Sequence, residues 1–239
     1  MSNENKNSGI IYYTDNHLDE PIYSIVQKQL LKVGLPIVSC SQEKINFGEN
    51  IVVKGKRNYL TMIRQITTAL EKSSATYVFF CEHDILYSLS HFDFTPIRND
   101  IFYYNDNIWR WNYPTELAIG YDRLISLSSL SVNRQFALDH YRKRIKKIEA
   151  MGEEKNERDP VWARKWGYEP GTKKKRRGGF SDDDFETWRS KDPIIDIRHP
   201  ETFSPRKVTL TSFKHPPINW KEISINKIPE WNLKEIFKL

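Results

Sequence analysis

Residues 76–84 read TYVFFCEHD, and this stretch decides the fold. Its first six residues are almost wholly apolar, as in a strand buried on both faces, and the apolar run stops abruptly at the polar triplet Glu82-His83-Asp84. The earlier stretch 9–14, GIIYYT, has the same form and stops at Asp15-Asn16. Both stretches predict buried strands that end in polar residues.

Helix and strand signals alternate around these two strands. Apolar spacing predicts helices over 22–33 and 58–72, and short apolar runs predict strands at 35–39 and 51–53. Such alternation is typical of right-handed βαβ units, so the sequence predicts an α/β fold with a mostly parallel central sheet flanked by helices. Ligands of such sheets bind beyond the carboxyl ends of the strands, where the polar triplet stands.

The second half of the chain has a different pattern. Short apolar runs predict short, partly antiparallel strands at 101–104, 108–111, 117–121, 124–130 and 194–197. Asn133 is expected to cap a helix that runs to about Met151. Residues 182–190, with Phe185 and Trp188 three apart, predict a short helix.

Composition divides the chain into one domain with flanking segments. The polar residues 1–8 predict a disordered amino terminus, and 9–215 predict a single domain. Within that domain, residues 152–181 are polar, basic and glycine-containing, which predicts a mobile loop. Residues 216–239 are rich in Pro and Trp without a clear period, and we expect a carboxyl-terminal extension there.

The composition excludes several classes of protein. Aromatic residues make up 13% of the 239 residues, too many for a disordered chain. The two cysteines, Cys40 and Cys81, are too few for a disulfide framework or a structural zinc site and suggest a reducing compartment. The chain contains neither a run of about 20 apolar residues nor an apolar signal-peptide core, so we expect no transmembrane segment and a cytoplasmic protein.

The net charge of +6 is concentrated in two basic strips. Residues 141–147 (YRKRIKK) carry five cations in seven positions, and 173–177 (KKKRR) carry five in a row. Strips of this kind attract nucleic acid, a nucleotide diphosphate or anionic lipid headgroups, the last through peripheral membrane contact. The alternative interpretation is a solvated helix face and a mobile loop.

The triplet Glu82-His83-Asp84 is the strongest candidate site. Two carboxylates one residue apart at the end of a buried strand can reach one divalent cation, directly or through water. Oxygen ligands of this type suit Mg²⁺ or Mn²⁺. The alternative interpretation is a polar turn that merely ends a strand.

The chain resembles GT-A nucleotide-sugar glycosyltransferases of the family-2 type. The resemblance rests on the stretches YYTDNHLDEPI, YVFFCEHDILY and WRSKDPIIDIRH, which are similar to small uncharacterised GT-A-like bacterial and phage proteins. It also rests on the order of a strand-end Asp, a strand-end acidic triplet, an acidic segment and a histidine. The resemblance implies a single GT-A-like domain, Mn²⁺ or Mg²⁺ as cofactor, and a nucleoside-diphosphate sugar as donor, with a UDP-sugar as first choice.

Site residues carry over from the resemblance position by position. By its place in the triplet, Asp84 matches the carboxylate that binds the metal, and Glu82 the one that contacts ribose or reaches the metal through water. A histidine near the end of the fold completes the metal shell in the family, and His199 is the match, with His215 as its rival.

The donor-binding residues also follow from the resemblance. The turn after the first strand cradles the base and ribose in the family, which implies this role for Thr14, Asp15 and Asn16. Arg57 could meet the base or the diphosphate, and a plain surface cation is the alternative for it.

An inverting transferase needs a general base for the acceptor hydroxyl. In the family this base belongs to an acidic pair at the start of a helix, and the stretch SDDDFETW offers Asp183, Asp184 and Glu186. One of these carboxylates could instead belong to a helix cap with Ser181. Because the stretch lacks a plain Glu-Asp pair, inversion and retention both stay open.

The resemblance therefore predicts a metal-dependent glycosyltransferase whose acceptor is a surface-glycan precursor or a hydroxymethylated base in DNA. A nucleic-acid-binding module without catalysis is a second interpretation, but it leaves the strand-end carboxylates unexplained, since they would repel phosphate. A nucleotidyltransferase-like enzyme is a third interpretation, and it would require a Gly-rich phosphate loop early in the chain.

Overall fold

The computed structural model of the protein describes residues 7–18, 20–150, 169–172, 184–204 and 206–239. In chain order its principal elements are β1 (Ser8–Thr14), α1 (Ile22–Leu31), β2 (Ile37–Ser41), β3 (Glu49–Val52), α2 (Tyr59–Lys72), β4 (Tyr77–Glu82), β5 (Ile85–Leu86), β6 (Phe102–Asn105), β7 (Ile108–Asn112), β8 (Leu117–Gly120), β9 (Leu130–Asn133), α3 (Arg134–Ala150), β10 (Phe185–Trp188), β11 (Ile194–Arg198), β12 (Lys221–Ser224) and α4 (Leu233–Phe237). Residues 1–6 of the predicted amino-terminal segment and most of the predicted basic loop, including 173–177, lie outside the described residues, whereas Ser8, predicted as disordered, is the first residue of β1.

A large sheet forms the centre of the described structure. Seven strands lie in the order β10-β6-β9-β4-β1-β2-β3 within the described residues, and every pairing is parallel apart from the two that β9 makes. The two strands predicted from their apolar runs, β1 and β4, pair with each other, and Tyr13 lies opposite Glu82. The predicted α/β class with a mostly parallel sheet is confirmed.

Helices cover both faces of this sheet. Because side chains alternate along a strand, Ile11 and Phe80 pack in one core with α2 and α3, while Ile10 and Phe79 pack in another with α1. Helix α2 begins where predicted, since the Asn58 side chain accepts a hydrogen bond from the Thr61 amide at 2.9 Å. The two-sided burial explains why β1 and β4 are continuous apolar runs.

A second sheet stands next to the triplet. Within the described chain its five strands follow the order β12-β8-β7-β11-β5. Strand β5 starts directly after Asp84 and runs antiparallel to β11, and the Ile197 amide donates to the Asp84 carbonyl at 2.9 Å. The polar triplet is therefore the point at which the chain passes from one sheet to the other.

The helix predicted over 182–190 is wrong, because residues 185–188 form the edge strand β10 instead. Phe185 packs in the core that contains α3, whereas Trp188 packs in the core on the opposite side of the sheet and stacks on Phe94 at 4.2 Å. A spacing of three puts two side chains on one face of a helix but on opposite faces of a strand. The sequence of an edge strand with an aromatic residue on each face can therefore have the same spacing as that of a helix.

Three other segments refine the predicted pattern. The run 124–130 is not one strand: a turn of 3₁₀ helix covers 127–129 and β9 begins at Leu130. In the tail, β12 pairs with β8, and the indole of Trp231 donates to the Pro193 carbonyl at 2.8 Å. In the basic strip on α3, Arg144 is fully buried and donates to Tyr59 Oη at 2.6 Å, so this cation is not part of a solvated face.

Candidate active site

A cavity of about 990 Å³, measured out to its open mouth, lies at the carboxyl ends of β1 and β4. Its wall includes four segments of the chain together with side chains of α2, β7 and β11, and with Gln42, Arg57, Asn58 and Glu169. The segments are 13–15, 82–85, 125–128 and 202–204. The cavity therefore occupies the place where parallel α/β sheets bind their ligands.

His83, Asp84 and His199 form a potential metal site beside this cavity. One ligand atom from each lies within 4.8 Å of the others, and His199 Nε2 is 3.6 Å from Asp84 Oδ2. The backbone bond between Asp84 and β11 brings His199 to this place, because His199 directly follows that strand. His83 is fixed by its Nδ1, which lies 2.5 Å from Thr14 Oγ1.

Two atoms of this cluster are buried without hydrogen-bond partners among the described residues. They are Asp84 Oδ1 and His199 Nε2. Buried polar atoms in proteins are almost always satisfied, so an orphaned pair of lone-pair donors calls for a ligand. A cation is such a ligand, and two imidazole nitrogens with one carboxylate oxygen fit a transition-metal ion such as Fe²⁺, Zn²⁺ or Mn²⁺ better than Mg²⁺, which prefers an all-oxygen shell.

The charges around the cluster keep Asp84 in its metal-binding form. Burial raises the pKa of Asp84, but His199, His83 and Arg198 outweigh this effect and hold the pKa below its usual value. Burial has the opposite effect on a histidine: it lowers the pKa of His83, which favours the neutral imidazole that binds metals.

Glu82 lies in the cavity wall but outside the three-residue cluster. Tyr13 Oη donates to Glu82 Oε1 at 2.5 Å. Burial, reinforced by the negative charge of Asp84, raises the pKa of Glu82 to about 8. Its predicted roles, ribose contact or a metal contact through water, stay predictions.

The predicted donor-binding residues divide into two groups. Thr14, Asp15 and Arg57 line the cavity, and Arg57 Nε lies 2.5 Å from Asp15 Oδ2. Asn16 does not line it. Its backbone φ is 61°, and its side-chain oxygen accepts hydrogen bonds from the amides of Gln42 and Glu43 at 2.8 and 3.0 Å. This arrangement gives Asn16 a structural part in the turn.

Arg57 also holds the loop after β11 against the turn after β1. Its guanidinium donates to the Glu201 carbonyl and lies 5.9 Å from the centre of the Phe203 ring. Because Phe203 lines the cavity, Arg57 connects the turn after β1 to the loop after β11. The plain surface cation that was the alternative for Arg57 does not describe this residue, whose side chain is only 14% exposed.

The structure does not bring two of the three predicted base candidates, Asp184 and Glu186, to the cavity. Asp184 and Glu186 are exposed at the edge of the large sheet, and neither lines the cavity. Asp183 lies outside the described residues. The rival metal ligand His215 is exposed and does not belong to the cluster, whereas His199 does.

Several cavity residues were missed by the sequence reasoning. Asp196 is the clearest, because it is buried between Arg110 Nε at 2.8 Å and Arg198 Nη1 at 3.4 Å. A charged residue inside the apolar run IIDIR was a signal for it, since a buried carboxylate requires a partner. Glu169, from the stretch predicted as a mobile loop, also lines the cavity.

Comparison with known proteins returns matches among solved structures. No family model and no curated protein matches the chain. Among solved structures, the chain is similar to the apo form of the glycosyltransferase GlyE of Streptococcus pneumoniae TIGR4, with 11% identity and a TM-score of 0.39 over 64% of this chain and 40% of that one. A second GlyE structure gives 11% identity and a TM-score of 0.34 over 64% and 41%.

This chain thus spans about two fifths of the GlyE chains that it matches. A similarity of this size leaves the activity to be argued from the site itself. Among the described helices, none is long and apolar enough to cross a bilayer.

Proposed function

We propose that the protein is a metal-dependent glycosyltransferase that moves a sugar from a nucleoside-diphosphate sugar to a hydroxyl acceptor. The observation that carries the proposal is the cluster of His83, Asp84 and His199, whose orphaned atoms stand beside a large cavity at the strand ends. The resemblance to GT-A enzymes in the order of these residues supports the same activity.

One group of charges in the cavity wall supports an anionic donor, although the wall as a whole holds five carboxyl groups against three arginines. Arg110 and Arg198 share the single carboxylate of Asp196, and all three side chains line the cavity. This group therefore carries one positive charge in excess. A divalent cation on Asp84 would add a further one, and a diphosphate is the part of the donor that matches such an excess.

The turn after β1 supports binding of the nucleoside. Thr14 and Asp15 line one end of the cavity, and the ion pair of Asp15 with Arg57 holds this end in shape. Hydroxyl and carboxylate groups there can bond to ribose and base. Phe203 and Met62, which line the same cavity, supply apolar surface for the base.

The proposed reaction exchanges one bond at the anomeric carbon for another. The acceptor oxygen bonds to the anomeric carbon, the bond from that carbon to the diphosphate breaks, and the acceptor proton passes to a carboxylate. A bound Mn²⁺ would supply positive charge to the departing diphosphate. For the base we propose Glu169, because it lines the cavity and Asp184 and Glu186 do not, while the predicted Asp183 lies outside the described residues.

The first test measures thermal stability with nucleoside diphosphates and nucleotide sugars, with and without Mn²⁺ or Mg²⁺. A ligand at about 100 times its Kd stabilises by roughly 2.7 kcal/mol, which for a chain of this size shifts Tm by about 5–10 °C. We expect one nucleotide to shift Tm, and only when Mn²⁺ is present. Asp84→Asn is the matched variant, and it should lose this shift at an unchanged basal Tm.

Product analysis then separates the candidate reactions. A glycosyltransferase releases a nucleoside diphosphate, whereas a nucleotidyltransferase-like enzyme would release pyrophosphate. A glycan precursor and a DNA duplex with hydroxymethylated bases are the two acceptors to offer. If no nucleotide shifts Tm with any cation, the transferase proposal fails.

A further inference from the structure

The segment that follows β11, residues 206–221, presents an exposed surface of apolar and basic side chains. We name it the basic-apolar surface and define it by Lys207, Leu210, Lys214, Ile218 and Lys221. Ile218 is 72% exposed and Leu210 is 43% exposed, and the three lysines are exposed. Aliphatic side chains this open beside cations indicate a partner that is both apolar and anionic.

Aromatic rings support this surface from beneath. Tyr121 and Trp220 stack with ring centres 5.8 Å apart, and Phe213 packs edge-on against both rings at 5.4 and 5.7 Å. Lys207 Nζ lies 5.5 Å from the centre of the Phe213 ring. The three rings hold the segment in place while its aliphatic and basic side chains point outward.

The charge of the surface has one sign. Residues 206–221 contain no Asp or Glu. The two acidic residues at its edge are already engaged: Asp122 accepts a hydrogen bond from the Asn219 side chain, and Glu222 accepts one from the Trp220 indole, both at 2.8 Å. These hydrogen bonds hold the two carboxylates at the edge of the surface, so an anionic partner would meet the lysines of the segment first, with negative charge only at that edge.

We propose that the basic-apolar surface docks the protein on a membrane that contains anionic lipids. Leu210 and Ile218 enter the boundary between headgroups and acyl chains, and the lysines meet the headgroup phosphates. Nucleic acid fits this surface less well, because its backbone offers nothing to two exposed aliphatic side chains. The rings of Tyr121 and Trp220 also stack on each other rather than standing free for bases.

The surface adjoins the cavity, so docking would bring a membrane-held molecule to the site. Phe203 and Ser204 line the cavity and precede the surface by only a few residues. On the other side, Tyr121 Oη accepts from Arg110 Nη1 at 3.4 Å, and Arg110 lines the cavity. The docking proposal does not depend on the reaction proposed above.

The test is sedimentation of the full chain with vesicles of phosphatidylcholine, alone or with about 30 mol % phosphatidylglycerol. We expect binding to the anionic vesicles only, weakened by salt. Replacing Lys207, Lys214 and Lys221 by Gln should lower the partition coefficient at least about tenfold. The matched control replaces Lys143, Lys146 and Lys147 of α3 by Gln, which removes the same charge and should leave binding within about twofold.

A second pair of variants tests the apolar contact. Leu210→Ser with Ile218→Ser should lower vesicle binding at least about threefold, whereas Leu31→Ser with Ile97→Ser should not. Leu31 and Ile97 are matched controls because they are 61% and 82% exposed and lie elsewhere on the chain. All four variants must keep the circular dichroism spectrum of the wild type.

A site-specific label gives an independent measurement. The two native cysteines are buried, so Thr211→Cys can be labelled selectively with an environment-sensitive dye. Its emission should shift to the blue on anionic vesicles. No binding to these vesicles, equal loss in the α3 control, or tighter binding to a DNA duplex through the same lysines would each overturn the proposal.

Discussion

Two groups of buried charged side chains meet at the cavity, and they differ in the charge that faces their carboxylates. In the cluster of His83, Asp84 and His199, two atoms lack hydrogen-bond partners among the described residues, and His199 Nε2 lies 3.6 Å from Asp84. In the second group, Asp196 Oδ2 accepts a hydrogen bond from Arg110 Nε at 2.8 Å, and Asp196 Oδ1, which also lacks a hydrogen-bond partner, lies 3.4 Å from Arg198 Nη1. The first arrangement is suited to receive a cation, and the second already has two guanidinium groups as its counter-charge.

The first group is therefore suited to binding a cation, and the second holds two strands together. Asp84 faces His199 across a long ion pair of 3.6 Å and has one unpartnered oxygen, so its replacement by an uncharged side chain of the same size should harm function more than the fold. A paired carboxylate between two guanidinium groups holds β7 against β11, so its removal should harm the fold. The predictions below test this distinction.

The largest effect is expected from Asp84→Asn. If metal-dependent transfer takes place here, turnover should fall at least about a thousandfold, because the ligand charge is lost while the size of the side chain is kept. The free energy of unfolding should change by less than about 1 kcal/mol, because no strong bond is broken. Single-turnover kinetics and urea unfolding measure the two quantities, and a variant that unfolds readily would contradict the distinction.

Asp196→Asn should produce the opposite result. It leaves the guanidinium groups of Arg110 and Arg198 buried without their counter-charge, and their side chains are each only 9% exposed. Breaking a buried pair in this way costs about 3–5 kcal/mol of unfolding free energy. Urea unfolding checks the value, with Asp100→Asn, whose ion pair with Arg98 is exposed, as the control expected to leave the unfolding free energy nearly unchanged.

The next effect concerns the affinity for Mn²⁺. His199→Gln should raise the Kd for Mn²⁺ at least about tenfold, whereas His215→Gln should leave it unchanged. Titration calorimetry with Mn²⁺ alone measures the affinity without any assumption about the reaction. Equal losses in both variants would mean that the cluster does not hold the ion.

Much of the fold could be predicted from the sequence, because the central parallel strands are buried on both faces. Continuous apolar runs such as 9–14 and 76–81 are typical of strands in that position, and caps such as Asn58 fixed the start of a helix. The edge strand β10 could not be predicted in this way. Its Phe185 and Trp188 face opposite sides of the sheet at a spacing that a helix also uses.

The site could be predicted only in part, since local sequence marks the acidic triplet but not the distant residues that lie beside it in the fold. The acidic triplet was visible because a buried strand ended there, and Asp84 followed from it. His199 reaches Asp84 through β5, a strand of only two residues that pairs with β11 more than a hundred residues later. A strand pairing that short leaves no periodicity in the sequence, so His199 could be named only through the resemblance. A single histidine between two carboxylates, as at His83, gives no sequence signal of metal binding.

The smallest effect is expected at His91, a buried histidine outside the site. Its ring packs against Phe79 and Trp188, and its Nδ1 lies 3.0 Å from the Asn105 amide nitrogen. Burial lowers the pKa of His91 to about 3, whereas the unfolded chain titrates near its ordinary value of 6.5. Between these values only the unfolded state takes up the proton, so the stability that the neutral ring contributes is lost as the pH falls below about 6.5.

His91→Gln should therefore flatten the dependence of stability on pH. Between pH 5 and 6, the unfolding free energy of the wild type should fall by about 1 kcal/mol more per pH unit than that of the variant. Urea unfolding at several pH values measures the slopes, and the exposed His215→Gln should keep the wild-type slope. Equal slopes in all three proteins would show that His91 takes up its proton in the folded state, and that a buried ring in an aromatic core does not by itself stay neutral.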